Sequence, residues 1–116
     1  MPNDHPSDAT TTLAQVKAQM EAFVAERGWQ PLHRPKNLAA SITIEAAELM
    51  ELFQWDGVEP PQTIQADPQK MQRIREELSD VLAYTLALAN RLDIDLASAF
   101  SMKMQMNATK YPPPRP

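Results

Sequence analysis

The sequence predicts an all-α protein, and three features of the chain support this prediction. It holds only two glycines in 116 residues, which is few for the tight turns that β-hairpins need. Strong helix formers such as Ala, Leu, Met, Gln and Glu are abundant. Apolar residues also recur at helical spacing. The length and a hydrophobic content of 43% are ordinary for a single globular domain.

The first predicted helix follows a polar N-terminal segment. Residues 1–9 are polar and include two prolines, so we expect them to be disordered. Thr11 or Thr12 is placed to cap a helix that runs to Arg27, and Gly28 is suited to the left-handed residue that ends it. The apolar positions of this helix are Leu13, Val16, Met20, Phe23 and Val24.

The second predicted helix lies between two proline-containing connections. Residues 29–36 form the first connection, and Asn37 is then placed to cap a helix from about Leu38 to Phe53. Residues 54–66 contain one glycine and two prolines, so we predict a loop there. This loop would leave the acidic end of the second helix.

Two further helices complete a predicted four-helix bundle over residues 10–111. Asp67 is an N-cap residue followed by a proline, and the third helix should run from there to about Arg91. Asp95 should cap the fourth helix, which ends at the proline-rich tail of residues 112–116.

The third predicted helix carries two acids, Glu77 and Asp80, at the start of an almost unbroken apolar run that extends to Ala89. Such a run predicts a helix that neighbouring segments enclose. A buried carboxylate without a partner is costly or becomes protonated. We therefore expect the two acids to meet a cation, which could be a metal ion or a basic side chain.

A second acid pair repeats the same spacing. Glu45 and Glu48 lie three residues apart on the second predicted helix, so two helices packed face to face could bring four carboxylates together. Ligation by oxygen alone suits Mg²⁺ or Mn²⁺. The chain has no cysteine, and its histidines, His5 and His33, lie in other segments, which argues against a di-iron centre.

Salt bridges are the alternative explanation for the acids. Acid pairs at this spacing are common on solvated helix faces, and Arg73 or Arg75 could neutralise Glu77. The corresponding function would be a non-catalytic helical binding or assembly module.

The charge pattern and the N-terminus bear on partners and location. A net charge of −4 without any run of Lys or Arg predicts no binding to a nucleic acid polymer. The N-terminus lacks a basic region and an apolar core, and the longest apolar run is too short to span a membrane. We expect a cytoplasmic protein without membrane attachment.

The linked acid pairs also carry a family resemblance. Glu45-x-x-Glu48 followed by Glu77-x-x-Asp80 resembles the signature of the MazG-like nucleoside triphosphate pyrophosphohydrolases, which are all-α enzymes. The dCTP pyrophosphatase branch is the most similar. The further matching segments are Glu26-Arg27-x-Trp29, Pro35-x-Asn37-Leu38, Glu51-Leu52-Phe53-Gln54-Trp55, Glu76 to Leu82, Lys103 with Asn107, and Tyr111-Pro112.

The resemblance implies an activity and a set of functional residues. It implies Mg²⁺-dependent hydrolysis of dCTP or a modified dCTP to the monophosphate and pyrophosphate, by a homodimer or homotetramer that cleans the nucleotide pool. Relatives carry a base-binding His where this chain has Met20. The implied metal ligands, which are also the catalytic residues, are Glu45, Glu48, Glu77 and Asp80. The implied substrate-binding residues are Trp29, Trp55, Tyr84, Lys103, Asn107 and Lys110.

Overall fold

Helices make up the whole regular structure of the part of the chain that is described. The computed structural model describes residues 5–115, and these contain α-helices, one short 3₁₀ turn and no strand, which confirms the all-α prediction. The 3₁₀ turn spans Gln30–Leu32. The helices are α1 (Leu13–Glu26), α2 (Pro35–Glu51), α3 (Pro61–Gln65), α4 (Pro68–Arg91) and α5 (Leu96–Lys110).

Both ends of α1 are fixed by local hydrogen bonds, as predicted. Thr12 accepts a hydrogen bond from the backbone N–H of Gln15, and the Gln15 side chain accepts one from the backbone N–H of Thr12. At the other end Gly28 has φ of 64° and donates to the carbonyl of Ala25. Trp29 donates to Val24 across the same turn, so the end is a Schellman motif.

The start of α2 differs from the prediction that Asn37 caps it. The helix begins at Pro35, because proline suits the first helical position, where its missing N–H is not needed. The Asn37 side chain instead donates a 3.2 Å hydrogen bond to the carbonyl of Leu32. This bond ties the 3₁₀ turn to α2.

The predicted loop of residues 54–66 contains the short helix α3, so the prediction of four helices was wrong for residues 5–115. Pro61 occupies the first position of α3, where its fixed φ favours a helical start. The predicted caps of the next two helices are confirmed. Asp67 accepts from the N–H of Lys70 at 3.1 Å, and Asp95 accepts from the N–H of Ser98 at 3.0 Å.

The core lies where α4 packs against α2 and α1, while α3 covers the beginning of α4. Its side chains are small or aliphatic. The buried residues of this core are Val24, Leu38, Leu86, Ala87 and Ala89.

The first half of α4 is not enclosed, contrary to the prediction from its apolar run. Leu78 is 55% exposed, Leu82 is 46% exposed, and Asp80 is also exposed. The reason is that α1 and α2 cover only part of this long helix, and α5 does not pack across the remainder. Because water can solvate the exposed Asp80 carboxylate in a single chain, its charge does not require a bound cation.

Helix α5 extends away from the other helices with its apolar residues in solvent. Phe100 and Met106 are 65% and 61% exposed. The radius of gyration is 17.3 Å, whereas a compact domain of this length has roughly 13 Å. Among the described residues of the chain, no other helix therefore covers the apolar surface of α5.

The two chain ends are described in part. Ser7 accepts backbone hydrogen bonds from Thr10 and Thr11, which form a turn before α1. Residues 1–4 and Pro116 lie outside the described residues, so the predicted disorder of residues 1–9 stays a prediction, as does the division at residues 10–111. Within residues 5–115, no helix is both long and apolar enough to cross a membrane.

Candidate functional site

Three carboxylates from two helices converge on one point. Glu45 and Glu48 lie one turn apart on α2, and Glu77 faces them from α4. One oxygen of each lies within 4.8 Å of the others. We call these three residues the carboxylate cluster. Three of the four acids that were predicted to converge therefore do so.

The carboxylate cluster has the electrostatics of a cation-binding site. The Oε2 atoms of Glu45 and Glu77 are buried and have no hydrogen-bond partner among residues 5–115. Burial, followed by the neighbouring carboxyl group of Glu48, raises the pKa of Glu45 to about 7. Burial and the charge of Glu48 also raise the pKa of Glu77. Unpaired buried oxygens of this kind are suitable ligands for a hard cation.

Asp80 stands next to the carboxylate cluster and is not part of it. Its side chain is exposed, and its negative charge contributes to the raised pKa values of Glu45 and Glu77. One helical turn separates it from Glu77, so both side chains occupy the same side of α4.

The salt-bridge alternative finds no support at the carboxylate cluster. The ion pairs present in residues 5–115 join Arg27 to Glu26 and Lys70 to Asp56. Arg73 and Arg75 are exposed and form no ion pair with the cluster in this part of the chain. The three acids of the cluster therefore have no basic partner among residues 5–115.

A cavity of about 210 Å³ lies about one helical turn along α2 from the carboxylate cluster. Ser41 lies four residues before Glu45, and Tyr84 lies seven residues after Glu77, so each of these lining residues shares a helix face with a cluster member. The cavity thus continues the site along both helices. Its lining residues are Trp29, Leu32, His33, Asn37, Leu38, Ser41 and Tyr84.

Two of the predicted substrate residues, Trp29 and Tyr84, line this cavity, and we call it the aromatic cavity. Trp29 packs edge-on against Phe23, with ring centres 5.6 Å apart and an interplanar angle of 71°. Its side chain is 41% exposed, so part of the indole stays available to a ligand. The guanidinium of Arg27 lies 3.5 Å from the centre of the Phe23 ring and supports this arrangement.

The sequence reasoning missed the polar residues of the aromatic cavity. From the sequence, His33 enters only the argument against a di-iron centre, and Asn37 enters as a helix cap and as part of a segment that resembles the family. Ser41 could have been found from its spacing, because it precedes Glu45 by one helical turn. No local signal marks His33, since it reaches the cavity only through the folding of the 3₁₀ turn against α2.

Trp55 lies elsewhere, on the loop of residues 52–60, and is 89% exposed. In this loop Asp56 pairs with Lys70, which precedes Glu77 on α4 by seven residues. Ser41 and Tyr84 meet on the other side of the carboxylate cluster. The two tryptophans of one chain therefore flank the cluster from opposite ends of the α2–α4 pair.

The predicted residues of α5 do not line the aromatic cavity. Lys103 and Lys110 are exposed, and Asn107 is half-buried. The ammonium of Lys110 lies 5.3 Å from the centre of the neighbouring Tyr111 ring. The structure of a single chain does not bring these three side chains to the aromatic cavity.

Met20 faces a separate apolar groove. This groove, of about 390 Å³, runs between α1 and α4 and is lined by Phe23 and Leu82 among others. Leu82 lies on the side of α4 opposite to Glu77 and Tyr84. Within one chain, Met20 therefore makes no contribution to the aromatic cavity.

Comparison with known proteins places the chain in a family. A sequence model described as the MazG-like family matches residues 40–115, which include both acid pairs and α5. The chain belongs to the MazG-like family. The carboxylate cluster and Asp80 are thus part of the segment that the MazG-like family shares.

Individual relatives agree with this MazG-like assignment. The chain is 41% identical over 101 residues to dCTP pyrophosphatase 1 of Bos taurus, and 43% identical over 103 residues to that of Homo sapiens. Each alignment covers 87% of this chain and 60% or 59% of the relative, so the chain spans about three fifths of those proteins. A crystal structure of a pyrophosphatase from Archaeoglobus fulgidus superposes with a TM-score of 0.77 at 35% identity. That superposition covers 94% of this chain and 97% of the other.

Proposed function

We propose that the protein hydrolyses a nucleoside triphosphate, dCTP or a modified dCTP, to the nucleoside monophosphate and pyrophosphate. The observation that carries this proposal is the carboxylate cluster with its two unpartnered buried oxygens beside an aromatic cavity. The printed names of the relatives, dCTP pyrophosphatase and pyrophosphatase, support the same reaction class. Such an activity would clean the nucleotide pool, which is a cytoplasmic role.

Glu45, Glu48 and Glu77 would hold the divalent metal, with Asp80 as the fourth carboxylate. The all-oxygen donor set favours Mg²⁺, and Mn²⁺ is the alternative. When bound, the metal supplies charge neutralisation for the triphosphate and lowers the pKa of water. The raised pKa of Glu45 comes from burial and from the neighbouring carboxylates, and a divalent cation on these oxygens would favour the ionised form.

The aromatic cavity would take the nucleobase. Ser41 precedes Glu45 by four residues, a rise of roughly 6 Å along α2, which is a suitable distance between the phosphates and the base of one nucleotide. Trp29 and Tyr84 offer aromatic surfaces for stacking. His33 and Asn37 offer hydrogen-bonding groups that can distinguish one base edge from another.

A homodimer or homotetramer would complete the molecule. The exposed apolar residues of α5 and of the α1–α4 groove are the kind of surface that association buries. In such an assembly, Lys103, Asn107 and Lys110 would reach the phosphates of a nucleotide held by a second copy. This arrangement accounts for their position outside the aromatic cavity of their own chain.

A screen of triphosphates for pyrophosphate release tests the proposed reaction. We expect release from dCTP or a 5-substituted dCTP with Mg²⁺, and its loss on addition of EDTA. Absence of pyrophosphate release from every canonical and modified triphosphate would contradict the proposal.

The melting temperature separates this function from the non-catalytic binding module. A metal that binds the folded state stabilises it by mass action, so Mg²⁺ should raise the melting temperature of an enzyme with this site. A module whose acids form only salt bridges would show no such rise.

A further inference from the structure

The position of Trp55 depends on how its loop is anchored. The indole is 89% exposed, so the ring has little packing of its own. The loop of residues 52–60 joins α2 to α3 and lies at the end of the carboxylate cluster away from the aromatic cavity. Its anchoring points therefore decide where Trp55 can reach.

Lys70 holds this loop at two points that bracket Trp55. Its ammonium group donates a hydrogen bond to the Oδ2 atom of Asp56 and lies 5.3 Å from the centre of the Phe53 ring. The Lys70 and Asp56 side chains are only 21% and 23% exposed. The contact is thus more shielded from water and salt than an ordinary surface ion pair.

Lys70 is itself held in place by the start of α4. Its backbone N–H donates a 3.1 Å hydrogen bond to the N-cap residue Asp67. Lys70 precedes Glu77 by two helical turns, so it shares the face of α4 that carries the carboxylate cluster. The rise between them is ~10 Å. The anchor therefore belongs to the same surface as the site.

The remaining bonds of the loop are local. Leu52 and Phe53 donate backbone hydrogen bonds to the end of α2, and Asp56 donates one to Phe53. Within residues 5–115, the Lys70–Asp56 bond is the side-chain hydrogen bond that connects the loop to another helix. Loss of the ammonium group should free the middle of the loop while leaving its start attached to α2.

We propose that Lys70 is a positioning residue, which holds the Trp55 loop beside the carboxylate cluster so that the indole contacts the bound nucleotide. The inference rests on the proposed function, because it requires a nucleotide at the cluster. It adds a binding determinant outside the predicted site residues. Lys70 acts through Trp55 and does not touch the reacting atoms.

Tryptophan fluorescence anisotropy tests the anchor without substrate. In a Trp29→Phe background the signal comes from Trp55 alone. Lys70→Met keeps the apolar stem and removes the charge, so we expect lower anisotropy, and Lys70→Arg should restore it. Lys36→Met, at an exposed lysine on the first turn of α2, is the matched control and should leave the anisotropy unchanged. Equal anisotropy in Lys70→Met and wild type would overturn the proposal.

Steady-state kinetics tests whether the anchor acts through Trp55. We expect Lys70→Met to raise KM by about three- to tenfold with a smaller change in kcat, since it weakens a contact between Trp55 and the substrate. In a Trp55→Ala background the same substitution should have no further effect, because the contact is already lost. A full additional loss there would overturn the assignment of Lys70 as a positioning residue.

The two measurements separate failure of this inference from failure of the proposed function. If wild type released no pyrophosphate, the proposed function would fail, and the anisotropy would still decide whether Lys70 holds the loop. If wild type were active and Lys70→Met unchanged in KM, the positioning role would fail while the proposed function stood.

Discussion

Individual carboxylates carry the chemistry of this site, and Glu45 shows the effect most clearly. Its pKa is raised from 4.5 to about 7, mainly by burial. The protonated form is therefore favoured in the folded protein. A carboxyl group with a raised pKa contributes stability that is complete below its unfolded pKa and is lost as the pH rises through its folded pKa.

The raised pKa of Glu45 predicts how the stability of the metal-free protein changes with pH. With EDTA present, the melting temperature should fall as the pH rises from 4.5 to about 7. Mg²⁺ should oppose the fall, since it neutralises the carboxylates that repel one another. Thermal denaturation across this range in wild type and Glu45→Gln measures the effect. A fall of equal size in Glu45→Gln would show that another group is responsible.

His33 carries a prediction about base selectivity. It lines the aromatic cavity, where a polar group can reject a base that leaves it unpaired. His33→Ala should therefore change the ratio of kcat/KM for dCTP to that for dTTP by about tenfold, the equivalent of ~1.4 kcal/mol. Met20→His alters the separate groove and should leave this ratio unchanged. If Met20→His changed this ratio and His33→Ala did not, base recognition would lie in the α1–α4 groove and not in the aromatic cavity.

At the scale of the helices, the ends were largely predictable and the packing was not. Thr12, Asp67 and Asp95 were recognisable as caps because a cap depends on its neighbours within one turn. The helix α3 was missed because five residues within a proline-containing stretch give no helical period. The exposure of Leu78 was missed because it depends on which distant segments cover α4.

Gly28 provides a stability test at the end of α1. Its φ of 64° is unfavourable for a residue with a Cβ atom, while the space around it is open. Gly28→Ala should therefore lower the free energy of unfolding by roughly 1–2 kcal/mol through the backbone alone. Gly57→Ala is the matched control, because that position is also open and does not have this positive φ. Urea denaturation that gave equal losses for both variants would contradict the role of Gly28.

At the scale of the whole molecule, the convergence of α2 and α4 at the acid pairs was predictable from the sequence. The aromatic cavity near this point was not. The acid pairs revealed the carboxylate cluster because identical spacing on two helices is visible in the chain. The aromatic cavity depends on the 3₁₀ turn returning against α2, which no local pattern encodes. Asp80 was expected at the same point as the cluster, and its exposure shows that an apolar run does not ensure burial.

Association should depend on the apolar face of α5. Phe100 is 65% exposed in the single chain, and we expect a second copy to cover it. Phe100→Glu should raise the dissociation constant of the oligomer by at least about tenfold, because it places a charge in an apolar interface. Val58→Glu is the control, since Val58 is fully exposed on the Trp55 loop. Sedimentation showing that wild type is a monomer at micromolar concentration would contradict the proposed assembly.

The dependence of dCTP hydrolysis on Mg²⁺ in Glu77→Gln tests the central claim most directly. This substitution removes one charged oxygen ligand at nearly constant volume, whereas Glu76→Gln changes the adjacent exposed glutamate. We expect Glu77→Gln to lower kcat/KM for pyrophosphate release by at least about tenfold, the equivalent of ~1.4 kcal/mol, and to require more Mg²⁺. Glu76→Gln should remain close to wild type. Wild-type turnover and wild-type Mg²⁺ dependence in Glu77→Gln would contradict the assignment of the carboxylate cluster as the metal site of a nucleotide pyrophosphohydrolase.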